Sequence, residues 1–549
     1  MTDGLGGYAS TAVSGLRTRR EHGLLVVAEA GSAVRHVGLA ALDLTLTLPS
    51  GARAQLYTHD WVSGANAPGG HRYLETFSLV DGVPRWRWRV GDVVVEREVA
   101  ARHGHPSVAV VHRVVSAPGP VGLAVSAMCT WRESGGSRDA SGPALKVEQV
   151  AGGVTVEDAY RISGPGWQAG GEWHLGARTR ADGGAEDLWL AGTYVERVNP
   201  GESLEISAWA GDLGRRPPAA RLVVDQARER ARRITAGLGG VDATLTLAAD
   251  AFVTRGPDLL TGYPFASGGD PLAGYEGLFL ATGRHDEGRE LLRARAGDLR
   301  GGSPLWFAHA ADRHVAATGD TDLAAELAGP LGRLLGPEDG LLRLGRGRPV
   351  ELNALWVNAL AAHAALLAAA GRDDDAARAR HARVRDAFAA RFPAPEGWLY
   401  DVVDGPPSAY PLGGGASQDD PTLRAGQLLA WSLPHAPLAG DAAALRALGP
   451  ALLTPLGPRT LSPREYGYDG REGAAAPWLI GAWADACAAA GLPTEGLLGG
   501  LEAHLGEYGL GSVSDAADGE PPHRALGCPF SARSVAEVLR VRKASRCES

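Results

Sequence analysis

The spacing of apolar residues in this 549-residue chain changes near residue 218, and that change restricts the folds open to it. Before residue 218, apolar and polar residues alternate, as in 42–48 and 86–90, and Gly, Pro and Asp separate the runs. Alternation with a period of two is typical of antiparallel strands that bury one face. About 200 residues of such strands predict a β-sandwich.

After a linker at 215–218 the apolar spacing becomes helical, and in 352–366 apolar residues recur three and four positions apart. Twelve helices are predicted, at 242–255, 271–282, 285–298, 304–318, 321–336, 351–371, 374–391, 421–434, 441–453, 474–490, 495–506 and 531–545. Twelve helices fit six hairpins in a ring. An irregular bundle or a solenoid is the competing architecture, and the lack of a fixed repeat disfavours the solenoid. We therefore predict a multidomain β plus all-α protein, with an antiparallel β-sandwich at 1–218 and an (α/α)6 barrel at 219–549.

Charge and cysteine content exclude several classes of function. The net charge of −9 argues against nucleic acid as a partner, because phosphate binding needs a basic surface. The four cysteines are scattered, and no metal or nucleotide motif is present, so no metal or cofactor is expected. No basic stretch followed by an apolar run opens the chain, and no long uncharged apolar stretch occurs. We expect a cytoplasmic protein without a membrane span.

Five motifs then carry a specific resemblance, and they occur in a fixed order along the chain. They are the runs Gly4–Leu25, Pro349–Leu360, Leu399–Gly405, Leu423–Gln427 and Asp518–Arg540. Together they resemble the glycogen debranching enzymes of bacteria and archaea, of the amylo-α-1,6-glucosidase kind. The resemblance implies a sandwich followed by a six-hairpin barrel. It also implies that the partner is glycogen or a branched α-glucan, and that the reaction is hydrolysis of α-1,6 branch points with inversion.

Inversion requires two carboxyl groups, one that protonates the leaving oxygen and one that activates water. The family's acid is expected in a Thr-Trp-Met-Asp loop, but here Asp339 leads through 340–348 directly into Pro349. At the position where the family has a Glu as general base, this chain has Asp515, whose side chain is shorter by about 1.5 Å. Asp270 is retained from a shortened loop and is a second candidate acid. The helices are preserved while these loops shrink, which indicates a lost or altered active site.

Five further residues are candidates for sugar binding by the same resemblance: Glu351, Asn353, Trp356, Arg424 and Gln427. Each also has a structural explanation. Glu351 and Asn353 open a helix, where capping accounts for them. Trp356 suits a protein core as well as a sugar face. Arg424 and Gln427 lie one helical turn apart and can make surface or interdomain hydrogen bonds.

Three functions remain open at this stage. The first is a debranching hydrolase with weakened activity. The second is an inactive relative that holds α-glucan or regulates an active debranching enzyme. The third is a different hydrolase, or a phosphorolytic enzyme, on the same barrel.

Overall fold

The computed structural model describes residues 1–29, 34–256, 258–297, 303–405 and 419–547. The chain forms two compact units, Met1–Leu238 and Gly239–Ser549. The boundary predicted after residue 218 lies 20 residues before the division between these units. The reason is a helix absent from the sequence-based prediction, Ala220–Ile234, which buries Val223 and Val224 against residues of the second sheet described below.

The first unit is built from two antiparallel sheets. The seven-stranded sheet contains, in order, Tyr8–Ser10, Gly23–Ala28, Arg35–Thr47, Val121–Glu133, Gly184–Val198 and Trp167–Thr179, with Arg53–Gln55 paired to Arg35–Thr47. The eight-stranded sheet contains, in order, Val147–Val150, Gly153–Val156, Tyr160–Ser163, Ser203–Ala210, Ser107–Ser116, Val93–Ala101, Val83–Val90 and Leu74–Val80. The predicted antiparallel sandwich is confirmed.

The sandwich core follows from the alternation seen in the sequence. Leu42, Leu44 and Leu46 point inward from one sheet and meet Val108 and Val110 from the other. Because side chains alternate across a strand, the intervening residues face outward. The same alternation places His112 on the core face of its strand, where it is fully buried.

The second unit contains the twelve predicted helical segments, arranged as an inner and an outer set. The inner segments are Pro271–Gly274 continued by Glu276–Leu280, then Pro304–Thr318, Val350–Ala369, Ala425–Leu428 continued by Leu429–Ser432, Leu479–Ala489 and Ala532–Cys547. The outer segments are Gly240–Asp250, His285–Arg295, Thr321–Leu334, Asp375–Arg391, Ala442–Leu452 and Gly499–His504. Each inner segment contacts the next, and the sixth contacts the first, so the ring closes. The predicted (α/α)6 barrel is confirmed.

The third inner helix, Val350–Ala369, shows how the ring is built. It is buried on nearly all sides, whereas the outer helix Asp375–Arg391 exposes most of its charged residues. By length and composition Val350–Ala369 could cross a membrane, but 67% of that stretch is buried inside the protein. Its apolar character is accounted for by its place in the ring.

Short two-residue ladders join the loops at the ends of the elements. They pair Arg348–Pro349 with Val402–Val403, Gly262–Tyr263 with Phe530–Ser531, Ala516–Ala517 with Ala525–Leu526, Val253–Thr254 with Asp258–Leu259, Leu453–Thr454 with Gly457–Pro458, and His59–Asp60 with Asn66–Ala67.

Candidate active site

The six inner helices begin at one end of the barrel, which we call the mouth. An outer helix precedes each inner helix along the chain, so all inner helices run in the same direction and their N-termini converge. The mouth therefore collects the residues at or near those N-termini, which are Asp270, Trp306, Glu351, Arg424, Trp478 and Arg533. Helix N-termini offer unpaired N–H groups and a favourable field for anionic or hydroxyl-rich ligands.

Arg533 lies at the centre of one half of the mouth. Its guanidinium stacks on Trp478, with 4.7 Å between Cζ and the ring centroid, and its Nη2 lies 3.8 Å from Oδ1 of Asp515. Burial lowers the pKa of Arg533, and the carboxylates of Asp515, Glu351 and Asp270 act in the opposite direction. The guanidinium thus stands within electrostatic range of three acidic side chains.

The loop before the first inner helix is shaped to fit this arginine. Gly269 has φ +83°, and a Cβ at this position would lie 2.3 Å from Nη1 of Arg533. A side chain at 269 would therefore strain the backbone and would also require the Arg533 guanidinium to move. The shortening of this loop, noted in the sequence, brings its backbone directly against Arg533.

Asp515, at the predicted position of the base, lies half-buried beside Arg533. Its Oδ1 accepts hydrogen bonds from the hydroxyls of Ser267 and, at 3.4 Å, Ser531. Its backbone N–H donates to the carbonyl of Cys528. The carboxylate is thus fixed by two hydroxyls and one cation, and its assignment as the base stays a prediction.

Glu351, Asp401 and Arg424 form the other half of the mouth. Glu351 is exposed to solvent, yet desolvation raises its pKa, a combination expected for a side chain on the floor of a concave surface. Arg424 Nε lies 3.3 Å from Oδ2 of Asp401. Burial is the main reason that the pKa of Asp401 is raised to about 7; Arg424 opposes the rise, and Asp420 and Glu351 add to it.

Asp401 was not among the residues predicted from sequence. It lies in the motif Leu399–Gly405, which was recognised only as part of the family resemblance. The available signal was its position within that motif. In the structure it directly precedes Val402–Val403, which pair with Arg348–Pro349 ahead of the third inner helix. Sequence alone gives no distance between segments fifty residues apart, so its approach to Glu351 could not be derived.

Aromatic rings line the mouth between the two halves. Trp306 meets Trp478 edge to face, with 6.4 Å between ring centroids, and also meets His309 at 5.4 Å. Both tryptophans are only partly buried. Partly open aromatic faces beside charged and hydroxyl groups suit the apolar faces and hydroxyls of a pyranose ring.

Three of the predicted sugar-binding residues are instead buried and bonded to the backbone. Asn353 accepts from the N–H of Leu342 at 2.7 Å and donates to the carbonyls of Leu342 and Pro349. Trp356 is 2% exposed and donates its indole N–H to Gly340. Gln427 accepts from the N–H of Leu399 and donates to the carbonyl of Arg424. The polar groups of all three are already used in these contacts, and their assignment to sugar binding stays a prediction.

Asp270 also has a structural role. Its carboxylate caps the first inner segment by accepting from the N–H of Leu272 at 2.8 Å, and its other oxygen accepts from the N–H of Ser303. Both oxygens of the carboxylate are thus occupied by backbone donors. The assignment of Asp270 as a proton donor stays a prediction.

The segment that replaces the family's acid loop is a tight hairpin. Leu344 and Gly347 pair across it, and Asn353 holds its base. Asp339, before the hairpin, forms an ion pair with Arg383 of an outer helix at 2.8 Å. No carboxyl side chain occurs between Asp339 and Glu351.

Comparison with known proteins agrees with this architecture. The family model described as glycogen debranching enzyme N terminal matches residues 1–205, and that described as amylo-alpha-1,6-glucosidase matches residues 345–540. A bacterial glucoamylase, solved in complex with acarbose, shares the fold with a TM-score of 0.58, at 11% identity over 99% of this chain and 95% of that one. A mannosylglycerate hydrolase from Thermus thermophilus is 12% identical over 55% of this chain and 99% of that one, with a TM-score of 0.41. No curated protein matches the chain in sequence.

The fold, together with the two family models, defines a protein of the glycoside hydrolase class. The two family models together span more than half of the residues, and the chain belongs to the glycogen debranching enzyme-like family.

Proposed function

We propose that this protein hydrolyses α-1,6 branch points of glycogen or a related α-glucan with inversion, at a reduced rate. The observation that supports the proposal is the grouping of Asp515, Arg533 and Trp478 at the mouth, where one cation contacts both a carboxylate and an aromatic face. A carboxylate positioned beside a sugar-binding surface is what activation of water at an anomeric carbon needs.

The reduced rate follows from two features of the site. The loop expected to carry the proton donor is replaced by the 344–347 hairpin. Asp515 is shorter than the Glu that the family resemblance predicts, and a displacement of this size costs about 10²-fold in rate. Ser267 and Ser531 hold the shortened carboxylate where it is.

A second candidate function is α-glucan binding without cleavage, either alone or as a regulator of an active debranching enzyme. The observation that favours it is the carboxyl-free segment 340–350 at the expected position of the acid. The aromatic and arginine surface of the mouth could hold a glucan chain without breaking a bond.

Incubation with a branched limit dextrin distinguishes the two functions. We expect slow release of glucose, first as the β-anomer, and at least about 10²-fold slower release by Asp515→Asn. The matched control is Asp386→Asn, an exposed carboxyl on an outer helix, which should leave the rate unchanged. Retention on a glycogen affinity gel without glucose release would favour the binding function. Sugar phosphate formed only with inorganic phosphate would favour a phosphorolytic enzyme.

A further inference from the structure

Asp401 is held against the third inner helix by its own backbone. Its carbonyl accepts from the N–H of Val350 at 2.8 Å, and its N–H donates to the carbonyl of Asp420 at 2.8 Å. The residues that follow, Val402–Val403, pair with Arg348–Pro349 at the end of the hairpin that replaces the acid loop. Asp401 therefore borders both the lost loop and Glu351.

Among the described residues, the carboxyl groups that act on Asp401 outnumber the cations that do so. Asp420 and Glu351 both act on it electrostatically, and Arg424, itself partly exposed, is the cation 3.3 Å away. One oxygen of Asp420 is occupied by the N–H and the hydroxyl of Thr422. The cation that acts on Glu351 is a different one, Arg533. Carboxyl groups crowded in this way oppose one another's ionisation, which favours retention of a proton by one of them.

The groups nearest Asp401 indicate which carboxyl holds that proton. Desolvation is the largest influence on Asp401, and the two neighbouring carboxyls act in the same direction, giving a pKa of about 7. Asp420 instead accepts two hydrogen bonds through its Oδ1, from the N–H and the hydroxyl of Thr422, so that oxygen is already occupied. Asp401 is also 21% exposed, so a ligand in the mouth can reach it.

We propose that Asp401 is the proton donor of the reaction and takes the place of the acid carried by the missing loop. The inference rests on the proposed hydrolysis. Asp401 transfers its proton to the glycosidic oxygen as the bond from that oxygen to C1 breaks. Water adds to C1 from the opposite side and loses a proton to Asp515. Solvent then returns a proton to Asp401 and removes one from Asp515, so that both carboxyls are restored.

Leaving-group dependence provides the test. The leaving group of α-glucosyl fluoride is fluoride, which needs no proton donor. Cleavage of the α-1,6 bond of a limit dextrin does need one. We expect Asp401→Asn to lower kcat/KM on limit dextrin by about 10²- to 10³-fold and to change fluoride hydrolysis by less than about fivefold. Asp515→Asn should lower both.

Two further variants keep the test specific. Asp404→Asn is the matched control, because Asp404 lies three residues away and pairs with Arg348 and Arg391. It should hydrolyse both substrates within about twofold of the wild type, and Asn is tolerated at its left-handed φ of 55°. Glu351→Gln examines the neighbouring carboxyl. A unimodal melting transition at the wild-type temperature shows that each variant is folded.

The outcomes separate the inference from the proposed function. Wild-type rates on limit dextrin in Asp401→Asn would overturn the inference alone. It would also be overturned if Glu351→Gln, rather than Asp401→Asn, spared fluoride hydrolysis while abolishing dextrin hydrolysis. Wild-type protein that cleaves neither substrate would overturn the proposed function and the inference with it.

The pH profile is a second readout. The donor must be protonated, so kcat/KM on limit dextrin should fall as the pH rises through about 7. The groups that face Asp401 are Arg424, Asp420 and Glu351. This fall in kcat/KM with rising pH should be absent when α-glucosyl fluoride is the substrate.

Discussion

The guanidinium of Arg533 lies over the indole ring of Trp478, 4.7 Å from Cζ to the ring centroid. Arg533 lies at the start of the sixth inner helix and Trp478 at the start of the fifth, so the contact joins two neighbouring inner helices at the mouth. Nη2 of Arg533 is also 3.8 Å from the carboxylate of Asp515. One side chain thereby fixes the spacing between an aromatic surface and an acid.

Replacement of Arg533 should weaken glucan binding. In Arg533→Lys the planar group that stacks on Trp478 is lost, although the positive charge is kept. We expect the dissociation constant for limit dextrin, measured by affinity electrophoresis, to rise about tenfold, since such stacking contributes about 1 kcal/mol or more. Arg383→Lys, on an outer helix, is the control and should leave binding unchanged. Equal binding by the two variants would contradict a role for Arg533 in the sugar surface.

Asn353 should matter for stability more than for sugar binding. Asn353→Ala removes three hydrogen bonds that hold residues 342 and 349, and it leaves buried backbone groups unpaired. We expect the free energy of unfolding to fall by about 3 kcal/mol, at about 1 kcal/mol for each bond. Glu351→Gln, two residues away and exposed, should change it by less than about 0.5 kcal/mol. Urea unfolding of both variants checks the comparison, and a stable Asn353→Ala would show that the hairpin does not depend on this amide.

Gly481 should not tolerate a side chain. A Cβ at this position would lie 1.6 Å from Oε2 of Glu537, whose carboxylate is paired with Arg540 at 2.7 Å. We expect Gly481→Ala to destabilise the barrel by about 2 kcal/mol, because the Glu537–Arg540 ion pair of the neighbouring inner helix must shift. In Gly499→Ala the added Cβ meets nothing within 4 Å, and this control should be neutral or slightly stabilising. Calorimetric melting distinguishes the two, and matching melting temperatures would contradict the close approach.

The buried His112 should make the sandwich sensitive to acid. Burial, and then the charge of Arg97, holds the pKa of His112 well below its ordinary value of 6.5. Neither ring nitrogen has a hydrogen-bond partner among the described residues. Below about pH 6.5 the unfolded chain therefore binds a proton that the folded chain does not, so stability decreases as the pH falls.

The size of that effect can be measured with His112→Leu. Between pH 7 and pH 5 the wild type should lose about 2 kcal/mol through this one group, and the variant should not. His22, whose pKa is lowered to about 3 by burial, contributes its own loss equally to both proteins. Urea unfolding followed by circular dichroism at the two pH values gives the difference. Parallel losses in wild type and variant would contradict the assignment.

The fold was predictable from sequence because its periodicities are long and regular. Leu42, Leu44 and Leu46 alternate over a whole strand, and each of the twelve barrel segments has apolar residues at helical spacing. The helix Ala220–Ile234 was missed because it is rich in arginine and only a narrow stripe that includes Val223 and Val224 is buried. The sequence of a charged helix directly after a linker is similar to that of an exposed linker, and only the surface on which the helix packs distinguishes the two.

The site was less predictable than the fold. The family resemblance identified Asp515, Glu351 and Arg424, all of which lie at the mouth. The same resemblance could not distinguish Glu351 from Asn353. The two residues are only two positions apart on one helix, yet Glu351 is exposed and Asn353 is buried. Asp401 depends on a contact between segments distant in sequence, and no local pattern encodes such a contact.

Ring closure has a consequence for how the polypeptide reaches its native state. Arg542, in the final inner helix, forms an ion pair with Asp242 of the first outer helix across 300 positions of the sequence. Contacts of such separation form late, because a long loop must be ordered before they contribute. During synthesis, the surfaces of the first segments that contact the final helix therefore remain uncovered until that helix has left the ribosome.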